Sequence, residues 1–205
     1  MNVEIHIADI KYISYAQEIC DLIYESAQAR GTGIAKRSAE YIAEKITSGK
    51  AVIALDNDKL VGFSYIETFS HNRFVANSGL VVHPDYRNQG LAKKIKHKIF
   101  DLSRKLYPNA KIFSITTGLA VMKLNTELGF KPVTFSELTD DEEFWNGCKT
   151  CRNYDILQRN NFKMCLCTGL LYDSKDQHHH KPSSFAKKVV KPIIKKRKNN
   201  KLFKK

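Results

Sequence analysis

The chain has 205 residues, enough for one well-buried α/β domain with a small appendage. A hydrophobic share of 42%, with eleven Phe and nine Tyr, is that of a globular protein, and no apolar run approaches the roughly 18 residues that span a membrane. The formal net charge of +13 belongs to one end: residues 181–205 carry eleven Lys plus Arg and no acid, which leaves about +2 for the other 180 residues.

That basic end fits either a disordered, solubilising extension or an electrostatic tether to nucleic acid, ribosome or anionic membrane. Pro192 interrupts any helix within it, and the adjacent imidazoles of His178, His179 and His180 make a weak metal site at best. The start "MNVEIHIADI" has neither the basic nor the continuous apolar region of a secretory leader, which fits a cytoplasmic protein.

In chain order, "VEIHI" (3–7) reads as a first strand. Ile10, Ile13, Ile19, Ile23 and Tyr24 recur at helical spacing and predict a helix up to about Gln28. The run "GTG" (31–33) breaks it, and Ser38 caps a second helix ending near Gly49. Three strands follow, "KAVIAL" (50–55), "KLVGFSYIETF" (59–69) and "FVANSGLVV" (74–82), the first two joined through "DNDK" (56–59). A helix over Gln89 to Tyr107 is stopped by Pro108; its apolar stripe is Leu91, Ile95, Ile99, Leu102 and Leu106, and Lys93, Lys94, Lys96, Lys98 and Lys105 fall on the other face. Then come a strand "AKIFSITT" (110–117), a short helix "AVMKLNTEL" (120–128) and a last strand "KPVTFSEL" (131–138). This order predicts a three-layer α/β sheet with an antiparallel meander and a crossover.

The junction "LVVHPDYRNQGLAKKI" (80–95) carries chemistry. The helix starts in the loop, so the backbone N–H groups of Gln89, Gly90, Leu91 and Ala92 are its unpaired first donors, with the helix dipole behind them. Such a start suits a pyrophosphate. Gly90 allows close approach, Ala92 keeps the next inward position small, and Arg87 adds positive charge.

This stretch resembles the acyl-CoA-binding motif of the GNAT (GCN5-related N-acetyltransferase) superfamily. The core Arg/Gln-x-x-Gly-x-Gly/Ala reads Arg87-x-x-Gly90-x-Ala92, preceded by Val82, Pro84 and Tyr86, and "ELGFKPV" (127–133) closes the region. The resemblance covers about residues 3–138. It implies a GNAT fold, a mixed three-layer sheet whose central parallel strands splay; beyond it, residues 139–172 read as a small Cys-rich extension and 173–205 as a disordered basic tail. It also implies that acetyl-CoA or another acyl-CoA lies along Leu80, Val81 and Val82 and seats its pyrophosphate on Arg87, Asn88, Gln89, Gly90, Leu91 and Ala92. An acceptor amine would then attack the thioester directly.

The proton-transfer groups depart from the family pattern. Asn125 stands where many members have a Tyr that protonates the leaving thiolate, and an Asn amide hydrogen-bonds sulfur without giving up a proton. Gly118 replaces an Asn seven residues earlier. Ser78 falls where some members have a Glu base, and Glu67 is the nearest carboxylate, itself open to the plain reading of a strand-end acid. On the acceptor side, "ARGTGIAKRS" (29–38) sets Arg30, Lys36 and Arg37 around two glycines, either to hold a substrate carboxylate or as a solvated basic loop. The segments "SAQARGTGIAKRS", "FVANSGLVV" and "ITTGLAVMKLN" resemble bacterial GNATs linked to glutamate N-acylation in arginine biosynthesis. That resemblance implies an N-acylglutamate synthase; the alternative is a protein or ribosome-associated N-acetyltransferase that docks through its cysteine segment and basic tail.

Cys148 and Cys151 form C-x-x-C, and Cys165 and Cys167 form C-x-C. Two close pairs suit a four-thiolate zinc site, with free structural thiols or a redox pair as the other readings. Cys20 lies on the first helix's apolar side.

Overall fold

The computed structural model describes residues 2–31 and 35–176. The chain divides into one unit over residues 1–172 and a second over 173–205. The basic stretch 181–205 and the three histidines fall outside the described residues, as do positions 32–34 of the acceptor loop.

One mixed sheet of seven strands organises the first unit. Its strands are β1 (Val3–Ile7), β2 (Ala51–Asp56), β3 (Lys59–Phe69), β4 (Phe74–Val82), β5 (Lys111–Thr116), β6 (Lys131–Val133) and β7 (Thr168–Tyr172). They lie in the order β1-β2-β3-β4-β5-β7-β6. Only β4 and β5 run parallel; the other pairings are antiparallel. The predicted succession holds through β6. β7 comes from the segment 139–172 and pairs on both sides, with β5 and β6, so this segment is continuous with the sheet.

Strand alternation sorts β2 cleanly between two faces. Ala51, Ile53 and Leu55 point into a core shared with α1 (Ala16–Arg30) and α2 (Ala39–Thr47), while Val52 and Ala54 join the core under α3 (Leu91–Leu106). Leu91, Ile95, Ile99 and Leu102 of α3 are buried as predicted, each contributing about 2 kcal/mol.

Four details differ from the sequence reading, the first being that the last strand, expected over 131–138, ends at Val133 and gives way to a 3-10 turn over Phe135–Glu137. Residues Ile10–Tyr15 form a short 3-10 helix capped by Asp9, so its tighter period leaves Ile10 and Ile13 exposed. Leu106, in the last turn of α3, is exposed. Lys96 is buried rather than on a solvent face, because α3 covers more of the sheet than one narrow stripe and buries Ser103 on the same flank.

The C-terminal segment is held by aromatic packing. α5 (Glu142–Asn146) inserts Phe144 between Phe69, Phe113 and Trp145, with ring centroids 4.8–5.3 Å apart. The Trp145 indole N–H donates to the Thr139 carbonyl at 2.9 Å. A further helix, α6 (Tyr154–Arg159), places Leu157 in the same cluster. No helix among the described residues is long and apolar enough to cross a membrane.

Candidate active site

β4 and β5 pair over only three positions, Phe74↔Lys111, Val75↔Ile112 and Ala76↔Phe113. Beyond them Asn77–Val82 and Ser114–Thr116 are no longer bonded to each other. β4 stays on its other neighbour, β3, through a bulge: Phe63 pairs Val81 and Tyr65 pairs Ser78, so extra β4 residues bow away from the ladder. Gly79, at φ 64°, makes that bow, and a side chain there would collide with the Tyr65 ring. The Ser64 hydroxyl ties the bulge by donating to the Ser78 carbonyl at 2.9 Å. A cavity of about 880 Å³ opens along the splay, walled by Asn77, Ser78, Leu80 and Val81 on one side and by Ser114 and Thr116 on the other.

At its open end stands the loop into α3. Val82 is followed by a single turn, Pro84–Tyr86, whose Tyr86 hydroxyl donates to Asp56 at 2.8 Å. Arg87 is turned inward: Nε donates to the Val82 carbonyl and Nη2 to the Ser26 hydroxyl of α1, each at 3.1 Å. Asn88 and Gly90 take positive φ, Gln89 donates to the Asp85 carbonyl, and no side chain caps α3 and no acid occupies its first turn. The first N–H groups of α3, around Gly90, Leu91 and Ala92, thus have no side-chain cap, an arrangement that suits an anion, and the loop is not among the residues lining the cavity. Arg30, read from the sequence as an acceptor ligand, lies beside Arg87, and burial together with that neighbouring charge holds its guanidinium below the ordinary value. Arg30 lines the cavity together with Lys36 and Arg37.

At the opposite end the wall is a side-chain cluster. Arg37 donates from Nε to the Tyr65 hydroxyl at 2.8 Å, and its Nη2 lies 3.8 Å from Glu67 Oε1. The Tyr41 hydroxyl donates to the same Glu67 oxygen. Burial, and then the Glu67 carboxylate, push both Tyr41 and Tyr65 well above the usual phenol range, so both phenols keep their protons. Burial alone would lower Arg37, but Tyr65 and Glu67 more than offset it and keep the guanidinium charged. Lys36 also lines the cavity; its N–H donates to Thr150 at 2.9 Å, pinning the α1–α2 connection to the C-terminal segment. Tyr41 and Tyr65 carried no signal in the sequence beyond their spacing on a helix and a strand.

Of the other sequence candidates, Ser78 and Glu67 line the cavity. Asn125 sits one turn behind the wall residue Val121 on α4 (Leu119–Glu127), fully buried, with neither amide atom partnered. The four cysteines also border the cavity and are free thiols. Cys165 Sγ is 3.8 Å from the Asn153 carbonyl oxygen, and Cys167 is hydrogen-bonded to Cys165. Burial, followed by the neighbouring thiols, pushes Cys148 up to about 11 and Cys167 up to about 12. Among the described residues no group of three or more His, Cys, Asp or Glu is set to hold a metal ion. The zinc expectation gains no support from this arrangement.

The model of the GNAT acetyltransferase family matches residues 18–130. No curated protein sequence matches the chain. Among solved structures, it is similar to N-acetylglutamate synthase from Neisseria gonorrhoeae complexed with coenzyme A and N-acetyl-glutamate, at 21% identity and TM-score 0.59, over 84% of this chain and 35% of that one. It thus spans about a third of that protein's length. Rv2747 from Mycobacterium tuberculosis in complex with CoA is similar at 14% identity and TM-score 0.60, over 83% of this chain and 98% of that one. The putative acetyltransferase yncA from Salmonella typhimurium with acetyl-CoA is similar at 15% and 0.57, over 84% and 94% of the two chains. These identities speak for the fold. With the family match, the splayed strands and the uncapped helix start after Arg87, the chain belongs to the GNAT acetyltransferase family.

Proposed function

We propose that the chain moves an acyl group from acyl-CoA to the amine of a small amino acid, with L-glutamate as the leading acceptor. The observation that carries this is the paired charge on the acceptor wall: Arg37 and Glu67, 3.8 Å apart, present one cation and one carboxylate to the same cavity. An amino acid brings the complementary pair, a carboxylate for Arg37 and an ammonium for Glu67. The similarity to a synthase crystallised with N-acetyl-glutamate points to the same kind of acceptor.

The chemistry then follows from position. The donor's pyrophosphate rests on the α3 start and its arm follows Leu80 and Val81 inward. Glu67 takes a proton from the acceptor ammonium, with Tyr41 and Arg37 fixing the carboxylate. The freed amine attacks the thioester carbon, the C–S bond breaks, and CoA leaves as its thiol with the proton that the amine nitrogen loses on becoming an amide. Ser78 lines the cleft beside this path, whereas Asn125, fully buried behind Val121, is not among the residues that line it. The protein or ribosome-associated alternative depends on the basic tail, which lies outside the described residues, and on cysteines that here face the cavity.

The test is release of free CoA thiol from acetyl-CoA by the full-length protein against a panel of amino acids. Glutamate should stimulate release above the other members; if no free amino acid does so, the reading fails.

A further inference from the structure

Lys96 is a buried lysine that the transfer step described above does not use. It is 2% exposed and borders the cavity from α3. Its Nζ donates to Asn77 Oδ1 at 3.1 Å, and the Phe130 ring lies 5.0 Å away. Asn77 cannot turn to offer more, because its Nδ2 donates to the Ser103 hydroxyl at 2.7 Å, which in turn donates to the Ile99 carbonyl at 2.8 Å. An ammonium has three protons to donate. One is used, and no carboxylate pairs with Lys96 among the described residues; burial is the only influence on it, and pushes it down to about 7.

Its place along the cleft says which ligand group it meets. Asn77 is the first β4 residue past the last β4–β5 pair, so Lys96 and Asn77 stand at the closed end of the splay. A donor whose phosphates rest at the open end and whose arm runs along β4 ends here with its acyl group. Burial disfavours the lone Lys96 ammonium, and a ligand carboxylate beside it favours the charged form and gains a charge-assisted hydrogen bond in return. We infer that Lys96 selects an acyl-CoA whose acyl chain ends in a carboxylate, the monothioester of a dicarboxylic acid, over a neutral acyl-CoA of equal length. This rests on the acyl-CoA reading of the cleft. The transfer itself is unchanged: the acceptor nitrogen bonds to the thioester carbon, the C–S bond breaks, CoA leaves as thiol with the proton released by the amine, and the distal carboxylate stays paired with Lys96.

The experiment is calorimetric binding of succinyl-CoA, butyryl-CoA and acetyl-CoA to the full-length protein without any acceptor, on wild type and on Lys96→Met. Wild type should bind succinyl-CoA more tightly than butyryl-CoA by about 10- to 100-fold, the range of a charge-assisted hydrogen bond. In Lys96→Met that ratio should collapse to near one, while Lys98→Met, at an exposed position of the same helix, should keep it. Equal binding of the two ligands by wild type overturns the inference even if the Met variant does not fold, as does a ratio that survives the Met substitution. Binding of acetyl-CoA with no succinyl preference removes the inference alone. Failure of all three ligands to bind removes it together with the acyl-CoA reading.

Discussion

The donor end of the cleft is made of backbone, and the acceptor end of side chains. At the proposed donor end, strand edges are freed by the splay and the N–H groups at the start of α3 are uncapped, and Arg87 holds Val82 and Ser26 in place. At the acceptor end, Arg37, Tyr41, Tyr65 and Glu67 come from a loop, a helix and a strand, and hold one another through hydrogen bonds. A backbone site follows from the path of the strands and helix, whereas a side-chain site depends on which residues stand at distant positions. Damage at one end should therefore show in donor binding, and damage at the other in acceptor kinetics.

Glu67→Gln tests that division with the largest expected effect. Removing the proton acceptor should lower kcat/KM by about 10² to 10⁴, the usual weight of a positioned base, with the Kd for acetyl-CoA little changed. A matching loss of donor affinity would show that the two ends are not separate. Arg37→Ala should raise KM for glutamate by about 10- to 100-fold, the loss of one charge-assisted contact, and the steady-state kinetics of an amino-acid series would reveal it. Gly90→Val acts at the donor end: a branched side chain at φ 78° costs about 1–2 kcal/mol, so acetyl-CoA affinity should fall about tenfold by titration. If glutamate KM shifted instead, the assignment of the loop would be wrong.

A separate test, on stability and not on activity, concerns Lys96 at the closed end of the splay. Its folded-state value is lowered to about 7 from 10.5, so between these values the unfolded chain binds a proton that the folded chain does not. Stability from this group therefore rises with pH across that window, by about 1 kcal/mol per pH unit, and is lost as pH falls back toward 7. Urea unfolding of wild type and Lys96→Met at several pH values would isolate this slope, and parallel curves would contradict it.

The same contrast explains what the sequence could tell. Arg87, Gly90 and Ala92 were legible because a backbone site constrains residue types at fixed spacing: a positive φ needs Gly, and a close approach needs a small neighbour. Arg37 and Glu67 could be named, but not paired, since 30 positions of chain separate them. Tyr41 and Tyr65 were invisible, because nothing local marks a tyrosine as the partner of a distant arginine. Lys96 was misread for a different reason. Helical periodicity ranks faces by the hydrophobic stripe, and it cannot see that the flank of α3 closes a cleft between strands that have parted. β7 went unread within the C-terminal extension because "TGLLY" lacks the apolar–polar alternation that marks "VEIHI", and only the pairing with β5 and β6 shows its place.

The central claim is that one cavity joins an acyl-CoA to a free amino acid. Mass spectrometry of the products after incubating the full-length protein with acetyl-CoA and L-glutamate tests it most directly. The account expects glutamate carrying one acetyl group on its nitrogen, formed in step with free CoA. Unmodified glutamate, with acetyl groups found only on protein lysines or N-termini, would contradict it.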